Sequence, residues 1–122
     1  METKNKIDLS QFYGTESYHR TNPMFAPEMM HTDGVQYFAD EGGCYWLLDI
    51  IATEYLPLTN RHEFQYDFLS IQFVVEDGIG DICVEDGDCK VIKQKHIAHT
   101  DCPDGLYKFF LTDNVLMLTS EY

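Results

Sequence analysis

Residues 63–78 read EFQYDFLSIQFVVEDG, and this stretch decides the fold class. Phe64, Tyr66 and Phe68 alternate on one face; Leu69, Ile71, Phe73 and Val75 then alternate on the other. A period of two signals a strand, because successive side chains of a strand point to opposite faces. The slip of phase at Phe68-Leu69 predicts a β-bulge, or a strand covered on both faces. The run stops at Asp77-Gly78, a pair suited to two-residue hairpin turns.

Downstream the same punctuation recurs at Asp86-Gly87, Asp104-Gly105 and Asp113-Asn114. Between these turns lie strand-sized runs: Asp81–Glu85, Asp88–Ala98, Leu106–Leu111 and Val115–Thr119. Strands in sequence order joined by short turns predict an antiparallel meander. Lys90, Lys93 and Lys95 predict that one face of its third strand is wet.

Upstream the period becomes helical. Thr32 or Asp33 can cap a helix whose apolar face is Val35, Phe38 and Ala39, and Gly42-Gly43 can end it. A second helix is predicted from Cys44 to Tyr55, stopped before Pro57. Tyr45, Trp46, Leu47, Leu48, Ile50, Ile51 and Ala52 surround its circumference, the pattern of a helix buried on more than one side. Ser10–Tyr13 reads as one helical turn ended by Gly14. Residues 15–31, with Pro23 and Pro27, read as irregular chain anchored by Met24, Phe25, Met29 and Met30. Residues 1–8 read as a frayed terminus. The expectation is a single α+β domain over residues 1–122. Its N-terminal helices, one of them central and buried, pack on a C-terminal antiparallel meander of about five strands.

The balance of 8 Lys+Arg against 21 Asp+Glu, a net charge of −13, excludes function classes. Nucleic-acid binding depends on clustered cations against phosphate, so direct binding to DNA or RNA is not expected. An anionic membrane surface is disfavoured for the same reason. The charge fits a basic protein partner, mimicry of nucleic acid toward a basic groove, or solubility alone. With 44% hydrophobic and 14% aromatic residues the chain is not of disordered composition. The polar start Met1–Lys6 leads into no apolar leader segment, and Cys44–Ala52 is too short to span a bilayer. The reading is a cytoplasmic protein with reduced thiols at Cys44, Cys83, Cys89 and Cys102. No cofactor fingerprint is present: there is no P-loop, GxGxxG, HExxH or GxSxG. An exposed edge strand in the meander leaves room for a homodimer.

Three constellations carry candidate chemistry. Cys44 stands at the first turn of the predicted central helix, where the helix N-terminus favours a thiolate. With His96 or His99 as base and Asp101 as orienter it would make a small hydrolase. Against this, a Cys in an apolar helix is among the most readily buried residues. The second is a metal site from His96, His99, Cys102 and Asp101. On an extended chain His96 and His99 point to opposite faces, and no paired knuckle spacing is present. The third is the run from Glu76 to Asp88, which holds Glu76, Asp77, Asp81, Glu85, Asp86 and Asp88 but no basic residue. Calcium takes oxygen ligands, yet the spacing does not match an EF-hand, and two Asp-Gly turns explain the same residues. Asp49 falls inside the apolar helix, so it is expected either as a site acid with a raised pKa or in a structural hydrogen bond.

Several motifs run through the chain: Gln11–Glu16 (QFYGTE), Thr32–Val35 (TDGV), Gly42–Asp49 (GGCYWLLD), Glu85–Gly87, Thr100–Pro103 and Leu111–Tyr122 (LTDNVLMLTSEY). On these the chain resembles a family of small proteins of unknown function associated with bacteria, prophages and plasmids. The resemblance implies no activity. In the family pattern position 44 is usually Ala and position 102 aromatic, so Cys44 and Cys102 depart from it. Thr119 stands where Pro is expected. The matching polar positions Asp49, Asp101 and Glu121, with Tyr45 and Trp46, are the implied binding candidates. Together these readings point to a non-enzymatic interaction or accessory protein of mobile-element type. The alternatives are a hydrolase on Cys44, or a small-ligand or metal-binding module around Asp49 and Asp101.

Overall fold

The computed structural model describes residues 17–22, 24, 26–59 and 68–122. The expected helical turn at Ser10–Tyr13, the frayed start, the anchor Phe25 and the Phe64–Tyr66 half of the long strand lie outside them. The described chain is α+β, with helices on one face of a seven-stranded mixed sheet.

Two strands open it, β1 (Tyr18–Asn22) and β2 (Ala26–Thr32), paired antiparallel. This corrects the irregular reading for residues 18–22 and 26–31. Pro27 sits at the second residue of β2, where its carbonyl accepts from the Arg20 guanidinium at 3.2 Å. A proline at a strand start costs no central ladder bond.

Helix α1 (Asp33–Gly42) is capped as its sequence predicts. Thr32 is extended and its hydroxyl accepts from the Val35 N–H, while Gly43, at φ 63°, ends the helix in the left-handed region. Val35, Phe38 and Ala39 are fully buried.

Helix α2 (Tyr45–Ile50) runs through a π-helical turn, Ile51–Tyr55, into α3 (Leu56–Thr59). The helix therefore passes Pro57 instead of stopping before it. In the wide turn the Leu56 N–H bonds Ile51, five residues back. A tight helix would press the Pro57 ring against the carbonyl four residues back, and the widening immediately before it relieves that collision.

The remaining strands are β3 (Phe68–Glu76), β4 (Ile79–Glu85), β5 (Val91–Ile97), β6 (Gly105–Thr112) and β7 (Val115–Leu118). The spatial order is β1-β2-β7-β6-β3-β4-β5. Five strands do follow the helices, but they are not a meander in sequence order. Of these five, β3–β4–β5 and the β6–β7 hairpin are sequential, but the two units are joined β6 to β3 and not β5 to β6. The chain from β5 then crosses the end of the β3–β4 hairpin, where the Thr100 N–H donates to the Gly78 carbonyl at 2.8 Å. It enters β6 on the far side of β3. β7 pairs antiparallel with β6 and parallel with β2, so the sheet is mixed.

Asp77-Gly78 and Asp113-Asn114 are two-residue hairpin turns with positive φ at both positions. Asp86–Cys89 is a longer turn in which the Asp86 carboxylate accepts from the N–H groups of Asp88 and Lys90. Asp104-Gly105 is no hairpin: it is the entrance to β6, and Asp104 Oδ1 accepts the Asp77 N–H at 3.0 Å.

Leu69, Ile71, Phe73 and Val75 of β3 face the helices and are buried; Ile82, Val84, Phe109, Leu111, Leu116 and Leu118 join them. α1 packs over β6 through Phe38, whose ring lies 4.8 Å from Tyr107 and 5.2 Å from Phe109. α2 packs over β3 through Trp46, edge-on to Phe73 at 5.6 Å. Full burial of each such side chain stabilises the fold by roughly 1.5–3 kcal/mol.

Candidate functional site

The sequence-predicted candidates fall at separate places. Cys44 is buried at the cap of α2, where its thiol donates to the Gly42 carbonyl at 3.3 Å. Contact with the Cys102 thiol, and then burial, push the Cys44 thiol well above its ordinary value. That is opposite to the direction a nucleophilic thiolate needs. His96 lies on the other side of the sheet. It stands across from Asp81, which stands across from the exposed Val74, whereas Cys44 belongs to the buried core on the helix side. His99 and Asp101 are exposed in the β5–β6 connection. Among the described residues no three His, Cys, Asp or Glu side chains come together as a metal-ligating group.

Asp49 is exposed on α2, which corrects the expectation of a buried carboxylate; its carbonyl accepts from the Thr53 hydroxyl at 2.8 Å. Tyr45 is 47% exposed, and Trp46 is half-buried on Phe73.

Glu121 joins two of the motif stretches. Its carboxylate accepts the Thr32 hydroxyl at 2.6 Å, the Gly34 N–H at 3.3 Å and the Leu118 N–H at 3.0 Å. A carboxylate at the first turn of α1 satisfies N–H groups that the helix cannot satisfy itself, and it complements the helix dipole. Gly34 permits the approach: a Cβ there would meet Leu118 Cδ1 at 2.5 Å and Glu121 Oε1 at 2.6 Å. The role visible for Glu121 is thus a clasp of α1 to the end of β7.

A polar network missed in the sequence lies beside that clasp. His19 and His31 are cross-strand neighbours in the β1–β2 hairpin, with rings stacked at 5.5 Å. His31 is 2% exposed, with Nδ1 at 2.8 Å from the Thr21 hydroxyl and Nε2 at 2.6 Å from Gln36 Oε1. Burial, above all, holds its imidazole below the ordinary value. Neutral His31 satisfies both contacts, accepting from Thr21 at Nδ1 and donating from Nε2 to Gln36. The Gln36 amide donates on to Tyr45 Oη at 2.7 Å and to Asp40, and the Tyr45 hydroxyl also bonds Asp40. His19 bonds Asp33 at 2.9 Å, and the Ser17 hydroxyl donates to the same oxygen at 2.6 Å. The hydrogen bonds from Ser17 and His19 hold the Asp33 carboxyl below its usual range. The sequence signal was Ser17, His19 and Thr21 at strand spacing, facing the Asp33, Gln36, Asp40 side of α1. The network pins the hairpin to both helices.

The opposite face of the sheet is different: among the described residues no helix packs over it, and the Tyr122 ring covers its Phe68–Phe110 end. One row across it reads Leu106, Val74, Asp81, His96; the next reads Lys108, Gln72, Cys83, Gln94. Val74, Ile79 and Leu106 are 43%, 46% and 53% exposed. Asp81 bonds His96 at 2.8 Å. Toward the other end Phe68, Phe110 and Tyr122 form an aromatic cluster, with centroids 4.8–5.5 Å apart.

The fold and this face define a class: a small acidic α+β protein with one sheet face under helices and the other, among the described residues, without a helix over it. The chain belongs to DUF6876, a family of unknown function, whose model matches residues 3–122. No curated protein and no solved structure matches the chain. Among the described residues no helix is long and apolar enough to cross a membrane.

Proposed function

We propose that this is a non-enzymatic interaction or accessory protein, of mobile-element or phage type, that engages a basic protein partner through the open face of its sheet. The observation that supports this reading is the face itself. The cross-strand pair Val74–Leu106 and neighbouring Ile79 are exposed beside Glu76, Asp77 and Asp81. Apolar contact supplies burial, while carboxylates favour a cationic partner and repel acidic ones. The net charge of −13 extends that preference over the whole surface.

The test is a pull-down at low and at high salt with the wild-type protein and with a V74S/L106S variant as bait. The expected result is a basic protein held at low salt, released at high salt, and lost from the variant. Retention that ignores both salt and the substitutions, or no partner at all, would end the reading.

A further inference from the structure

We infer that the open face carries an anchor for one arginine or lysine side chain, at the β3–β4 hairpin. The inference rests on the reading above and names what the partner inserts. Val74 and Ile79 floor a shallow cleft of about 270 Å³ whose other lining residues are Glu76, Asp77 and Asp81. Leu106, directly across from Val74, extends the apolar floor. Asp104 reaches the same turn, with Oδ1 on the Asp77 N–H.

An apolar floor and an acidic rim are the two halves of what a long cationic side chain needs. Its methylenes lie on apolar groups while its charged end meets carboxylates. A ligand that is apolar throughout would leave the carboxylates desolvated and unpaired. A small hydrated cation would gain nothing from Val74 and Ile79. No Lys or Arg of the described chain lines the cleft. Among the described residues the Glu76 and Asp77 carboxylates make no hydrogen bond or ion pair. Asp81 is shared with His96, so His96 competes with the guest for one rim oxygen.

The test is a titration of the isotope-labelled full chain with a tetra-arginine peptide at low salt, read by amide chemical shifts. Shifts concentrated between Val74 and Asp81 and at Leu106 support the anchor. E76Q/D81N should weaken binding about tenfold, the scale of one lost charge-assisted contact. E28Q/E41Q removes the same charge at exposed positions elsewhere and should change affinity by less than about twofold. H96A frees Asp81 and should tighten binding. Equal weakening by the two double variants, shifts centred on Asp86–Asp88, or weakening by H96A would overturn the anchor while leaving a charge-driven partner in place. No binding of the peptide to the wild-type protein would overturn the anchor and the basic-partner reading together.

Discussion

At the scale of single residues, Gly34 and Glu121 show how a motif can be structural. Gly34→Ala puts a methyl group into Leu118 and the Glu121 carboxylate. It should destabilise the protein by about 1–3 kcal/mol, as overpacking does. Glu121→Ala removes the acceptor for Thr32, Gly34 and Leu118, and should cost about 1–3 kcal/mol. The double variant should cost less than the sum, since part of the Gly34→Ala collision is with the carboxylate already removed. Urea denaturation of the four proteins checks this. His31 supplies a pH dependence. Its folded pKa is lowered, so the unfolded chain takes the proton first as pH falls. Stability is therefore full above the ordinary histidine value of about 6.5 and declines as pH drops below it. Urea midpoints at pH 7.5 and 5.5 should differ more for the wild type than for His31→Gln. Sequence singled out Glu121 but not its role, because its partners Thr32 and Gly34 lie 89 and 87 residues away. It passed over His19 and His31, because only the hairpin register makes them neighbours.

At the scale of elements, legibility followed the range of the deciding interactions. α1 was readable to within a residue at each end, since Thr32 and Gly43 set its ends locally. The hairpins at Asp77-Gly78 and Asp113-Asn114 were readable for the same reason. Strand order was not, because nothing local distinguishes Asp104-Gly105, a strand entrance held by Asp77, from a hairpin. Helix α2 hid its passage through Pro57 because proline rules assume a tight helix. The open sheet face was also out of reach, since strand alternation tells faces apart but not which one the helices cover. One turn yields a measurable prediction. Asn114 holds φ 63°, and its carbonyl accepts the Met30 N–H at 2.9 Å. Asn tolerates that conformation far better than Ala does. Asn114→Ala should therefore cost about 1 kcal/mol, and hydrogen exchange should quicken in β2 as well as in β7.

At the scale of the whole molecule the charge of −13 acts against folding. Like charges held on one compact body repel, and salt screens that repulsion. Raising sodium chloride from about 0.01 M to about 0.15 M should raise the thermal midpoint; a midpoint that falls would mean that attractive pairs dominate. The salt-bridge contacts in the described chain are few: Lys95–Glu54 and His96–Asp81 at the surface and the part-buried His19–Asp33, the two histidine contacts being ionic only when the ring is protonated. Such pairs contribute little each. Some of the acids, Asp86 and Asp104 among them, are already engaged in holding turns.

The parallel pairing of β2 with β7 has a consequence during synthesis. β1, β2 and α1 leave the ribosome early, yet the strand that joins them to the sheet, Val115–Leu118, is made last of the seven. Until it emerges, the apolar faces of the hairpin and both helices have no complete sheet to cover. β3, β4 and β5 can zip together meanwhile from local turns. Late in synthesis, after β5 is made, the β1–β2 hairpin is therefore still without its ladder to the rest of the sheet, and β7 supplies that link. A ribosome stalled before β7 should present a protease-sensitive N-terminal half beside a partly protected β3–β5 unit.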